Sequence, residues 1–172
     1  MSLLIATAVA VSPAPPRDCA PARLDACDTT NSLIWSRAFT RDLHAFLGDG
    51  TASYLNRNRP VFDQAQEVLG GPPDDPVRLA DRSWMFTACR AHSCAEKGAV
   101  VLTPAGRIVA VGILHFGCGA STNPRRSCTG IPRLALYLRG AAPSSTAIAR
   151  TEIETWARGN EPTLAGVDVT MR

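Results

Sequence analysis

Lysine is almost missing from this chain: of 18 basic residues Lys97 alone is lysine, and the rest are arginine. Those arginines are scattered and form no stripe of the kind that grips a phosphate backbone, so nucleic acid is not expected as a partner. No apolar run approaches the ~20 residues that span a bilayer, and no membrane anchor is expected. A Gly-rich phosphate loop, a zinc-protease motif and a nucleophile elbow are all missing. Without a catalytic set the chain reads as a non-enzyme that needs no cofactor and no metal. Aromatic residues are also few, at 6%.

What is present is enough for one core. The chain has 172 residues, 45% of them hydrophobic, with 13 glycines and 13 prolines, which fits one turn-rich domain. Leu3 to Val11 is apolar and uncharged and contains the small-x-small pattern Ala8-Val9-Ala10, so residues 1–10 read as a signal peptide. Residues 11–30 hold four prolines and no periodicity, and read as a Pro-rich N-terminal arm; residues 31–172 form the single domain. Six cysteines behind an export-like segment imply disulfides in a periplasmic or secreted protein. Fifteen pairings exist in principle, and the short segments between close neighbours favour Cys19–Cys27, Cys89–Cys94 and Cys118–Cys128.

Hydrophobic periodicity places the elements. Trp35, Phe39, Leu43, Phe46 and Leu47 recur on one face, which predicts a helix over 33–47 ended by Gly48. A second runs from Pro60 to Leu69, stopped by Gly70-Gly71. Beyond Pro72-Pro73-Asp74-Asp75-Pro76 the period becomes two. Val77 to Leu79 and Ser83 to Ala88 read as a hairpin, Ala99 to Leu102 and Arg107 to Phe116 as a second, and Leu134 to Leu138 as a further strand. An amphipathic helix over about Ser145 to Arg158 puts Ala149, Ile153, Trp156 and Ala157 on one face. The expected fold is α+β, an antiparallel sheet of about five strands packed against helices, because connections this short join antiparallel neighbours.

The sharpest local feature is Cys89-Arg90-Ala91-His92-Ser93-Cys94 between two predicted strands. A disulfide across so short a ring is worth roughly 2 kcal/mol in the chain-entropy account and holds His92 at a crest. Such a loop suits insertion into a concave site, since its ordering is complete before binding. The segment resembles the inhibitors of vertebrate lysozyme, the Ivy family, whose signature is a disulfide-closed loop of the form Cys-Lys-Pro-His-Asp-Cys between two strands. Both cysteines and the histidine match at that spacing, with basic Arg90 after the first cysteine; Ala91 and Ser93 stand where the family has proline and aspartate. The likeness extends over roughly residues 77–116, through the turn at Asp81, Trp84 and Thr87-Ala88.

The resemblance implies a bacterial inhibitor of c-type lysozyme that inserts the His92 loop into the active-site cleft, and a homodimer. A lysozyme cleft sets one protonated and one ionised carboxyl group about the scissile bond, and a neutral imidazole offers one donor and one acceptor. Arg90, Lys97, Arg125 and Arg126 are candidate rim contacts. This chain carries a formal charge of +3 and the lysozymes that the resemblance implies are basic as well, so recognition would rest on local fit in the acidic cleft rather than on long-range attraction. Three other readings compete. A secreted binding protein on the same scaffold would control an endogenous peptidoglycan-cleaving enzyme. A zinc site would use Cys89, His92 and Cys94 but lacks the usual paired spacings. A cysteine nucleophile with His92 as base lacks an orienting partner. His44 reads as a solvated helix-end residue, and His115 as a strand residue on the more polar face.

Overall fold

A computed structural model describes residues 19–117, 130–140 and 143–172. The chain runs α1 (Thr30–Ile34), α2 (Arg37–Leu47), β1 (Thr51–Ala52), β2 (Arg59–Pro60), α3 (Val61–Leu69), β3 (Val77–Arg78), β4 (Trp84–Arg90), β5 (Ser93–Leu102), β6 (Ile108–His115), β7 (Arg133–Leu138), α4 (Pro143–Asn160) and β8 (Gly166–Met171). Strands β3 to β8 form one sheet in sequence order, and β1 with β2 forms a small ribbon. The fold is α+β. Neighbours from β3 to β7 are antiparallel, whereas β8 lies parallel to β7. The sheet is therefore mixed and has six strands rather than about five antiparallel ones. A parallel pair needs a long crossover, and the 18-residue α4 supplies it.

Helices cover both faces. Leu33, Phe39, Leu43, Val61, Ala65 and Leu69 from α1, α2 and α3 meet Phe86, Val100, Val111 and Ile113 on one side. On the other, Ala149, Ile153 and Ala157 of α4 meet Ala99, Val101, Leu134 and Leu136. Every residue of β6 is buried, as expected of a central strand between two helical layers, which is why this segment reads as a continuous apolar run. Two glycines make close layers possible. A Cβ on Gly98 would lie 2.7 Å from Val68 Cγ2, and one on Gly112 would lie 2.6 Å from Ile153 Cγ2.

The predicted helix over 33–47 is two helices. Ser36 breaks the first and caps the second, its Oγ accepting from Phe39 N–H at 3.2 Å, while the Thr40 hydroxyl donates to the carbonyls of Ile34 and Ser36. The break takes Trp35 out of the core stripe and leaves it 66% exposed. The arm is also more integrated than its composition implies: Cys19 and Cys27 form a disulfide, and Leu24 and Cys27 are buried in the main core. Residues 1–10, with the signal-like run, lie outside the described residues, as do Cys118, Arg125, Arg126 and Cys128. Among the described residues no helix is long and apolar enough to cross a membrane.

The segment 51–60 is organised by one buried side chain. Gln64 Oε1 accepts from the backbone N–H groups of Tyr54, Leu55 and Asn56, and its Nε2 donates to the carbonyls of Ala52 and Arg59. An amide carries both donor and acceptor capacity, so one residue satisfies a loop that makes few backbone bonds of its own. The loop in turn delivers Asn56 to the neighbourhood of the β4–β5 turn.

Candidate functional site

The segment from Cys89 to Cys94 forms the tip of the β4–β5 hairpin. Strands run almost to its end: Arg90 pairs with Ser93, and Ala91-His92 is the two-residue turn. Between Cys89 opposite Lys97 and Arg90 opposite Ser93 the register shifts, so Cys94, Ala95 and Glu96 form a bulge on β5. That bulge carries Cys94 across to Cys89, with a Cα–Cα separation of 4.7 Å and a disulfide between them. Since the two sulfurs are bound to each other, neither is a thiolate for zinc or for nucleophilic attack, and both of those readings fall.

His92 sits at the crest, exposed, with φ +65°. Left-handed backbone at the second turn position is where glycine is preferred, and a residue with a Cβ there costs roughly 1–2 kcal/mol. Ala91 and Cys94 are exposed beside it, Ser93 is partly exposed, and Cys89 is buried.

Arg90 points the other way. Its Nε and Nη2 both donate to Glu67 Oε1 at 2.7 Å, and its Nη1 donates to Glu96 Oε2 at 2.7 Å. Asn56 Nδ2 holds the second oxygen of Glu67 at 3.1 Å. Glu96 is 3% exposed, and Arg90 supplies the hydrogen bond that its buried carboxyl group needs. Burial works against the guanidinium, and the carboxylates of Glu96 and Glu67 outweigh it, raising its pKa above the usual arginine value. Arg90 is thus an internal bolt joining both arms of the hairpin to α3, and no free cation for a partner's rim. Lys97 lies opposite Cys89 in the register and is partly exposed.

A second support comes from the chain after α3. Cys89 N–H donates to the Pro72 carbonyl and Asp74 N–H to the Thr87 carbonyl, both at 3.0 Å, so residues 72–74 line the outer edge of β4. Gly71 lies so close to the hairpin that a Cβ there would overlap the Cys89 carbonyl oxygen. Disulfide, ion triad and glycine contact fix the same six residues from three sides.

No family model, curated protein or solved structure matches the chain.

The other two histidines are elsewhere. His44 Nε2 lies 3.2 Å from Asp49 Oδ1, with its ring edge-on to Phe62, at the end of α2. His115 is 5% exposed on the face shared with α1 to α3, its ring centroid 4.6 Å from that of Tyr54, and not on a polar face. Its Nδ1 accepts from Gly117 N–H at 3.1 Å, which puts the proton on Nε2, an atom with no hydrogen-bond partner. Burial pushes its pKa down to about 4, with Asp168 opposing the shift and Arg133 adding to it. Above the ordinary histidine pKa of about 6.5 both folded and unfolded chains hold it neutral. Below that the unfolded chain takes a proton first, so stability falls as pH drops from about 6.5 to 4, by about 3 kcal/mol in full. Urea unfolding of the parent and of His115→Asn at pH 7, 5.5 and 4 is expected to show this fall in the parent and a much flatter dependence in the variant. Equal slopes in the two proteins would exclude His115 as the acid-sensitive group.

Proposed function

We propose that this chain is a periplasmic or secreted inhibitor of a c-type lysozyme, acting by insertion of the β4–β5 tip into the enzyme's cleft. The observation that carries the reading is His92: an exposed imidazole held in left-handed backbone at the crest of a closed and internally bolted turn. Asn58 and Arg82 also hold left-handed backbone, and what sets His92 apart is its place in a ring closed by the Cys89–Cys94 disulfide and tied to α3 through Arg90. The likeness to the lysozyme-inhibitor signature over the same six residues supplies the target. Two disulfides fit an oxidising compartment.

In this reading the imidazole donates to the ionised carboxylate and accepts from the protonated acid, occupying the space where the glycan would be cut. The protein contributes no chemistry. It excludes substrate, and its affinity depends on the tip being ordered before the encounter. Lys97 is left as the described cation nearest to the tip by register, now that Arg90 is committed internally.

Titration of purified protein into cell-wall cleavage assays with chicken-type and goose-type lysozymes tests the proposal. Inhibition of the chicken type is expected, and the ring-opened Cys89→Ser/Cys94→Ser variant should inhibit about tenfold less well, the effect of about 1.4 kcal/mol of restored disorder. If the folded parent inhibits no lysozyme in the panel, the reading fails, and an endogenous peptidoglycan-cleaving enzyme becomes the target to test.

A further inference from the structure

Six tip residues are too small a surface for a specific complex. A stable interface covers about 800 Å² on each partner and involves some 20–30 residues a side. Whatever receives the tip must also touch the surface around its base, and one such surface is unlike the rest of the molecule.

Trp35 is the one strongly exposed aromatic among the described residues. It faces a shallow cavity of about 430 Å³ that it shares with Arg37, Thr40, Arg41, His44 and Phe62. Its ring is braced from behind, because Gly70 lies against its six-membered edge, with a Cβ position 3.5 Å from Cζ2. The next residue, Gly71, is the one pressed against Cys89 and Ala91. Consecutive residues therefore touch the tryptophan and the hairpin, and backbone dimensions keep these two contacts on the order of 10 Å apart. The fixed charges that line the cavity are both arginines, with the exposed carboxylate of Asp49 at its far edge beside His44. Arg37 makes no ion pair with a described residue, and Arg41 is highly exposed, spending part of its guanidinium on Asp42.

We infer that Trp35, flanked by Arg37, is a second anchor for the same partner that receives His92, seated on an apolar and acidic lip of its cleft. This rests on the proposed inhibitory function. A tryptophan braced on one side and open on the other loses little rotamer freedom when covered, which is what makes such residues dominant contacts in interfaces. The arginine beside it matches the negative potential expected around a cleft built on carboxyl groups. The break between α1 and α2 then has a purpose: a continuous helix would have turned the same indole into the core.

The test uses the full chain and chicken-type lysozyme. Inhibition constants for the parent, Trp35→Ala and Trp35→Phe should show a loss of about 30-fold for alanine with partial retention by phenylalanine, while thermal melts remain close to the parent's. Independently of any substitution, protein labelled with nitrogen-15 has three indole N–H signals, from Trp35, Trp84 and Trp156. Unlabelled lysozyme should shift or broaden that of Trp35 far more than the other two. If the parent inhibits but Trp35→Ala inhibits equally and its indole signal does not move, the second anchor is wrong and the hairpin reading stands. If the parent binds no lysozyme, both fall together.

Discussion

Replacing His92 with alanine is expected to lower inhibition by about 30-fold to several thousand-fold while the fold stays intact. The loss corresponds to about 2–5 kcal/mol, the usual consequence of truncating one side of a polar cluster buried at an interface, because the carboxyl groups left behind are dry and poorly paired. Folding should be nearly indifferent. His92 is exposed, and alanine suffers the same left-handed backbone penalty as histidine, so the change in stability should stay within about 0.5 kcal/mol. Glycine separates the two properties further. With no Cβ it accepts φ +65° freely, so His92→Gly should raise stability by about 1 kcal/mol and still lose inhibition. Inhibition constants and urea midpoints for the three proteins decide it. If His92→Ala inhibits as well as the parent, insertion of the imidazole is not how this protein acts.

Much of the sheet was legible because its central strands carry continuous apolar runs bounded by Gly and Pro turns. The segment Ala99 to Phe116, with the turn at Thr103-Pro104-Ala105-Gly106, needed no tertiary information, and the structure places β6 and the last four residues of β5 there, β5 itself starting earlier at Ser93. Strand β8 was missed although Val167, Val169 and Met171 alternate with Asp168 and Thr170. Its signal is weak because it is an edge strand whose Val169 and Met171 stay exposed, and its parallel pairing becomes evident only once α4 is seen as a crossover. The split at Trp35-Ser36 was hidden for a different reason. The apolar spacing of Trp35 with Phe39 is that of one helix, and only the capping chemistry of Ser36 and Thr40 says otherwise.

At the candidate site the cysteine spacing announced the ring, and the structure contains the Cys89–Cys94 bond. What spacing alone did not disclose was the role of Arg90. A basic residue between two cysteines looks like a rim cation, and nothing local indicates that Glu67, 23 residues earlier, and Glu96 will enclose it. Nor did the sequence mark Gly71 beyond its use as a helix stop after Leu69. Residues that act by close approach of two backbones carry no chemical signature, and they emerge only from the packed structure.

Gly71 should therefore be the most sensitive position outside the tip itself. A methyl group there would overlap the Cys89 carbonyl oxygen and lie 2.6 Å from Ala91 N and 2.9 Å from the Arg90 carbonyl carbon. All of these are backbone atoms in a hairpin closed by a disulfide, bonded to Pro72 through Cys89 N–H and bolted to α3 through Arg90, so none can yield without breaking another contact. Overpacking of this kind costs about 1–3 kcal/mol, and the rigidity on both sides puts Gly71→Ala near the upper end. A control separates this from the general effect of removing glycine: Gly159, in the last turn of α4, has no atom beyond its own stretch of helix within 4 Å of its Cβ position, and Gly159→Ala should stabilise by up to about 1 kcal/mol. Urea unfolding should move in opposite directions for the two variants. Hydrogen exchange should locate the damage, with amides of residues 89–95 and of Asp74 losing protection in Gly71→Ala while those of β6 keep theirs, since the centre of the sheet does not depend on the tip. Inhibition should weaken in parallel, because a tip pushed away from α3 presents His92 from a movable base and restores an ordering cost that the parent has already met in folding. A Gly71→Ala protein with parental unfolding and parental exchange at residues 89–95 would show that the close approach carries no structural weight.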